Sequence, residues 1–277
     1  MSSATTAARG GASEMAGVGA TFPRVLRSEW TKFWSLRSTM WTLLATFAVT
    51  VGFSALIAWG TSTNMDQLSP QDRATFDPTS NSLAGIAFGQ LAIAVLGVLV
   101  ISGEYATGGI KATFTAVPQR IKVLLAKAVV LAGVALAVGV LSSFAAFYVG
   151  QFFFARQNLE AHLGDPNVLR AVVGGGLYVV GSGMFGFAFG ALLRHTAGAI
   201  TAAVALLLVV PPLTQLLPGS WGDAITKYFT SNAGQQITSV VRPFGDVLTP
   251  WAGYGVFTIE WLIILVIAAV LLRRRDA

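Results

Sequence analysis

Five stretches of this chain, residues 38–65, 78–103, 128–155, 171–193 and 195–222, contain no Asp, Glu, Lys or Arg. Each exceeds the about 20 apolar residues that a helix needs to cross the hydrocarbon of a bilayer. A sixth apolar run, 253–272, holds a single acid, Glu260. An uncompensated charge at mid-membrane costs about 3 kcal/mol or more, so charge-free runs of this length mark spans. Helices are predicted near 40–60, 83–103, 124–149, 171–193, 196–217 and 253–272. Composition agrees, because only 11% of the residues are charged and 54% are hydrophobic. A soluble domain carries about 25% charged residues and could not cover its surface from this supply. The expected fold class is an all-α integral membrane protein with six transmembrane helices.

Sidedness follows from Lys and Arg in the connecting segments. Thirteen bases fall before the first span, in the second and fourth loops and in the tail, whereas five fall on the opposite side with seven acids. Both termini are therefore expected in the cytoplasm, and a multi-pass protein of a prokaryotic inner or plasma membrane is the expected localisation. The net charge of +6 reads as orientation rather than nucleic-acid affinity, which needs a basic patch on a soluble fold. Residues 1–21 are small and polar and are expected to form a disordered cytoplasmic tail. No cleaved leader is expected, since the first apolar run is long enough to span.

Several chemistries are excluded at this stage. The chain has no cysteine, so there is no disulfide framework, thiolate metal site or cysteine nucleophile. Its two histidines, His162 and His195, lie far apart in the expected topology, which argues against a histidine metal site or a Ser-His-Asp triad. No segment matches the phosphate-binding loop G-x-x-x-x-G-K-[ST]; Gly103 and Gly108 have the spacing, but Gly109 replaces the lysine. The chain is expected to be no enzyme and to bind no cofactor or metal itself.

Residues 22–38 form an expected interfacial amphipathic helix. Phe22, Leu26, Trp30, Phe33 and Trp34 fall on one broad helical face, with Arg24, Arg27, Thr31 and Ser35 mostly opposite. Trp30, Phe33 and Trp34 are the expected membrane-interface residues. The loop after the second span reads Ser102-Gly-Glu-Tyr-Ala-Thr-Gly-Gly-Ile-Lys, then Ala-Thr-Phe-Thr-Ala-Val-Pro118-Gln-Arg120, and returns through a basic run to Lys127. This arrangement resembles the membrane subunits of the type-2 ABC exporter family, in which the second span ends in Glu and leads through a Gly-Thr-like pair and a Pro-x-Arg turn to a Lys. Gly109 stands where Thr is commoner. The resemblance extends to Ser28-Glu29-Trp30-Thr31-Lys32, to Leu36-Arg37-Ser38-Thr39 and to the basic end of the chain.

That resemblance implies a permease subunit that exports a hydrophobic or amphiphilic cargo. It implies as partners two copies of a cytoplasmic ABC ATPase, which would carry ATP and Mg, and a second permease subunit in a homo- or heterodimer. It further implies that the loop 104–122 holds a coupling helix docked on the ATPase. The residues it points to are Glu104, Tyr105, Gly108, Gly109, Ile110, Phe114, Pro118 and Arg120. Small residues there permit close approach, and Tyr105, Ile110 and Phe114 have the size to fill a partner pocket.

Gly85 with Gly89, and Gly186 with Gly190, give small-x-x-x-small pairs suited to tight helix packing. Pro211 and Pro212 lack N–H groups, so carbonyls one turn earlier need other donors. The outer segment 213–252 carries Trp221, Ile225, Tyr228, Phe229 and Ile237 and is expected to dip back toward the membrane. Glu260, about 10 Å inside the outer end of the last span at 1.5 Å per residue, and the Pro211–Pro212 pair are candidates for a substrate path or gate. The rival readings are an ion-coupled secondary carrier, which calls for several buried ionisable groups where only Glu260 and Lys127 qualify, a membrane enzyme, and a non-transporting scaffold or sensor.

Single cysteines introduced at Tyr105 or Phe114 test the orientation. They should resist a membrane-impermeant maleimide added outside intact cells, and labelling there would invert the topology.

Overall fold

The computed structural model describes residues 21–67, 69, 73, 75–241 and 246–274. The expected tail, up to residue 20, lies outside them. Every regular element among the described residues is helical. Helix α1 is Phe22–Ser35 and α2, the first span, Arg37–Thr63. A short α3, Pro78–Ser82, precedes the second span α4, Ile86–Ala106, and the small α5, Gly109–Ala116. The third and fourth spans are α6, Arg120–Phe154, and α7, Val168–Leu193. The fifth runs as α8, Thr196–Val204, a π-helical turn Ala205–Val209, and α9, Val210–Thr214. Two short helices follow, α10, Gly219–Tyr228, and α11, Thr230–Gln235, before the sixth span α12, Pro250–Arg274. Six helices are thus long and apolar enough to cross a membrane.

Two boundaries differ from the sequence reading in ways that matter. The N-terminal helix stops at Ser35, because Leu36 adopts extended backbone and α2 restarts at Arg37. The buried face of α1 is Val25, Glu29 and Phe33, spaced by four, with Trp30 and Trp34 exposed. Phe33 is therefore a packing residue and not an interface residue. The aromatic grouping misplaced the face because the helix buries an acid in the middle of its stripe.

The fourth span is the hub. About 72% of its most apolar stretch is buried, against 17% in α12 and 22% in the fifth span. It packs against α4, α6 and α12. Glycine makes that possible, since backbone meets backbone where a side chain would intervene. A Cβ on Gly186 would collide with the Ala94 carbonyl of α4, one on Gly97 with the Gly183 carbonyl, and one on Gly190 would stand 2.9 Å from the Val98 oxygen. The Gly85–Gly89 pair likewise faces α2, and Gly85 N–H donates to Ser54 Oγ at 3.1 Å. Both pairs serve contacts within the chain.

Helix α11, in the segment between the fifth and sixth spans, packs on α12 and on the π-helical turn. Pro211 cannot donate to Leu207, and Ser231 of α11 fills the gap by donating Oγ–H to the Leu207 carbonyl at 2.7 Å. Thr214 Oγ1 donates to the Pro211 carbonyl at 2.7 Å, and Asn232 Nδ2 reaches Thr214 Oγ1 at 3.1 Å. Outside the spans, Asp77 caps α3 through Ser80 N–H and also accepts from Val240 and Val241 N–H at 2.7 and 2.9 Å. Arg170 donates to the carbonyls of Ile237 and Ser239. His195 caps α8, its Nδ1 accepting from Gly198 N–H.

Replacing Gly186 by Ala should cost about 1–3 kcal/mol, the usual penalty of overpacking a core. Gly52→Ala, where a Cβ meets nothing within 4 Å, should leave stability unchanged. Thermal unfolding in detergent, followed by fluorescence size exclusion, measures both; equal stability of the two variants would refute the hub.

Candidate functional site

Four charges from three helices meet at one end of the bundle. Lys127 of α6 places its Nζ 2.7 Å from Glu29 Oε2 of α1 and 2.7 Å from Glu104 Oε1 at the end of α4. Lys32 Nζ lies 3.0 Å from Glu29 Oε1 and 3.2 Å from Glu104 Oε1, and donates to Thr113 Oγ1 of α5 at 3.2 Å. Thr113 Oγ1 donates in turn to Glu104 Oε2 at 3.4 Å. Two acids and two bases balance, so the cluster is neutral as a whole. The Lys127 and Glu29 side chains are about 4% and 5% exposed, whereas that of Lys32 is 42% exposed. The inner pair is thus sealed from water and the outer lysine is wetted.

Local structure explains the convergence. Glu29 is carried inward between Val25 and Phe33 on the face of α1 that packs on α6. Glu104 sits on the last turn of α4, and Thr107 ends that helix before Gly108 turns the chain at φ 72°. Such a φ suits glycine and lets α5 start at once. Lys127 lies two turns inside α6, its ammonium directed at the two carboxylates. Lys32 is held above the ordinary lysine value: partial burial alone would lower it, but the hydrogen bond to Glu29 and the charges of Glu104 and Glu29 outweigh that. A cavity of about 350 Å³ adjoins the cluster, walled by Phe33, Leu96, Leu99 and Val130. The joint is therefore loosely packed beside its charges.

The residues singled out in the sequence divide into two sets. Glu104 enters the cluster. Tyr105 is partly buried, with the Arg194 guanidinium 5.2 Å from its ring centroid. Phe114 is partly buried under Arg120, 5.4 Å away, and Arg120 Nη1 also donates to the Leu272 carbonyl at the end of α12 at 3.2 Å. Ile110 is only 4% exposed, so it packs inside this chain and does not reach outward. The outward surface of α5 consists instead of Lys111, Ala112, Thr115 and Ala116, continued by Gly108 and Pro118, with Gly109 partly covered. Ile110 and Phe114 turn toward their own chain because α5 is too short to have two apolar faces, and Tyr105 packs at the end of α4.

Glu29, Lys32, Thr113 and Lys127 were not among the site residues read from sequence. A signal existed for two of them: Glu29 interrupts a buried i, i+4, i+8 stripe, and Lys127 follows the start of an apolar run. Pairing across 98 residues, from Glu29 to Lys127, has no sequence signature.

Glu260 lies ten residues into α12, about 15 Å from its start at 1.5 Å per residue, deeper than the sequence reading placed it because the helix begins at Pro250. Its Oε2 is buried without a hydrogen-bond partner among the described residues. The Pro211–Pro212 pair stands on the neighbouring fifth span, past the π-helical turn.

Compared with known families, the chain matches the model described as ABC-2 family transporter protein over residues 25–210. The match includes all four charges of the cluster and the first five spans except the end of the fifth. No curated protein matched the chain.

Removing Lys127 leaves the buried Glu29 with the partly exposed Lys32 as its remaining cation and a second acid beside it, so Lys127→Met should cost about 3–5 kcal/mol. Adding Glu29→Gln should restore a substantial part, and additive losses in this double-mutant cycle would deny the coupling. The Lys32 contribution has the opposite sign to a carboxylate's. Its raised value means stabilisation is complete below the unfolded lysine value, about 10.4, and is lost as pH rises through the folded one. Melting temperature should therefore stay flat in Lys32 dependence through neutral pH, with Lys32→Met converging on the parent only in strong alkali.

Proposed function

We propose that this chain, which belongs to the ABC-2 family of transporter proteins, is the permease subunit of an exporter driven by a separate cytoplasmic ABC ATPase. The family supplies the permease role and association with an ATPase and a membrane. Two ATPase copies, a second permease copy, a cell-membrane location and both termini in the cytoplasm complete the reading, and the charge asymmetry of the loops supports it. ATP and Mg belong to the partner, and this chain hydrolyses nothing. The cargo is hydrophobic or amphiphilic, and its path runs past Glu260 and the Pro211–Pro212 pair.

The observation that carries the reading is the charge cluster at the coupling loop. Helix α5 touches it through Thr113, whose hydroxyl bridges Lys32 and Glu104. A force on the outward face of α5 is thereby delivered to α1, α4 and α6 together. Arg120 extends the linkage to α12 at Leu272, and Arg194 extends it to the junction of the fourth and fifth spans. Polar contacts serve this purpose well because they have discrete partners and can exchange them, whereas packed apolar contacts only slide. Export is favoured over an ion-coupled carrier because the buried ions other than Glu260 neutralise one another at one end of the bundle, leaving no relay across it.

Cysteines at Ala112 or Thr115, on the outward face of α5, should crosslink to the cognate ATPase in a background with no native cysteine. Thr113→Val should leave ATPase association intact while lowering transport per ATP by several-fold, since about 1 kcal/mol of hydrogen bonding leaves the link. Failure of any ATPase to co-purify or crosslink would end the exporter reading.

A further inference from the structure

The cytoplasmic cluster consumes its own charges, but Glu260 does not. A groove of about 410 Å³ opens beside it, lined by Phe185, Leu206, Tyr228, Phe229 and Ile264 as well as Glu260 itself. That volume lies within the range of about 300–1,000 Å³ typical of small-molecule sites. Phe185 is fully buried and forms the floor, while Tyr228 is about 50% exposed and stands at the mouth. The walls come from the fourth and fifth spans, from α10 and its junction with α11, and from α12.

The chemistry of this groove is lopsided. Its lining is apolar and aromatic except for Thr230 and one carboxylate, and the carboxylate keeps a buried oxygen, Oε2, with no hydrogen-bond donor among the described residues. An acceptor left unpaired in an apolar place is costly, and more so if it is charged. A cation removes that cost, and aromatic faces favour one whose charge is spread over an organic body. Tyr228 already accepts a cation: the Lys227 ammonium stands 5.5 Å from its ring centroid. Lys227 is itself neutralised by Asp246 at 2.7 Å, so it adds no net repulsion at the mouth.

We propose that this groove is a binding site for a lipophilic organic cation, with Glu260 facing the charge and Phe185, Tyr228, Phe229 and Leu206 holding the apolar body. That such a cation is cargo rests on the permease reading, whereas binding needs only this chain. Leu206 lies in the π-helical turn of the fifth span, whose Leu207 carbonyl is held by Ser231. An occupant of the groove therefore presses on the least regular turn of the spans, close to the proline pair.

Tetraphenylphosphonium and its shape twin of opposite charge, tetraphenylborate, test the site on the purified full-length chain in detergent, by equilibrium dialysis. The phosphonium should bind, Glu260→Gln should weaken it by about tenfold or more, and Glu260→Asp should retain most affinity. Tyr228→Leu should weaken it several-fold and Tyr228→Phe should not; Tyr228 is surface-exposed, so this pair decides the matter even if a Glu260 variant fails to fold. Unchanged phosphonium affinity in monodisperse Glu260→Gln, or equal and Glu260-independent binding of the borate, would overturn the site. Glu260-dependent binding without ATP-driven transport in the reconstituted complex supports the site and overturns the permease reading. ATP-driven transport of an amphiphile with no Glu260-dependent binding does the reverse.

Discussion

One ammonium group organises the end of the bundle where α1, α4 and α6 meet. Lys127 is almost dry, and moving an ion of its size out of water costs several kcal/mol even after relaxation. That cost is met only if both carboxylates come within hydrogen-bonding distance, which fixes three helices relative to one another. Helix α1 must lie with Glu29 inward, α4 must end where Glu104 reaches α6, and the turn at Gly108 must return α5 so that Thr113 covers the outer lysine. A buried ion pair is weak evidence for net stability over an apolar alternative. Its contribution here is register: Glu29 adds a directional contact to Lys127 on the face of α1 that Val25 and Phe33 already pack against the bundle.

The transmembrane core follows a different logic. In lipid, apolar side chains gain little by leaving the solvent, so association depends on close packing and satisfied polar groups. Glycine on α7 meets carbonyls on α4, and hydroxyls on α6 and α11 find backbone oxygens on α7 and on the broken fifth span. The polar node of Gln90, Tyr178 and Gln235 then ties the outer hairpin to the hub, with Tyr178 stacked on Phe257 of α12. The first, fifth and sixth spans remain largely uncovered. Their exposed Leu, Ile and Val suit lipid or another permease subunit.

Spans were legible in the sequence because the bilayer penalises charge in a way no tertiary contact hides. Their observed ends at Arg37, Ala106, Arg120, Leu193 and Arg274 fall within two residues of a charged side chain. The need for a donor to the carbonyl before Pro211 was equally legible, since it follows from one missing N–H, although Ser231 as that donor was not. What failed was the face of α1. Grouping Trp30, Phe33 and Trp34 assumes that apolar residues point one way, yet the helix lies between protein on one side and open surface on the other, and both accept aromatics. The inward face was betrayed by an acid, which hydrophobic periodicity counts as outward. Ile110 misled for a related reason: a short helix has one apolar face, and its own subunit claims it first.

The two polar regions differ in how closely water approaches them. Around the proline pair, buried Ser231 and Thr214 donate to the carbonyls of Leu207 and Pro211, and loss of the Ser231 bond takes from the Leu207 carbonyl its side-chain donor. At the charge cluster the inner pair is similarly dry, but Lys32 is about two-fifths exposed and beside a cavity. Water can take the place of Glu104 or Thr113 at that ammonium for little cost, while Lys127 has no such substitute. The yielding contact of the joint is therefore Lys32 with Thr113, and the fixed one is Lys127 with its two acids. A displacement of α5 therefore strains the contacts of Thr113 and Lys32 before it reaches the Lys127 pairs, which hold α1, α4 and α6 together.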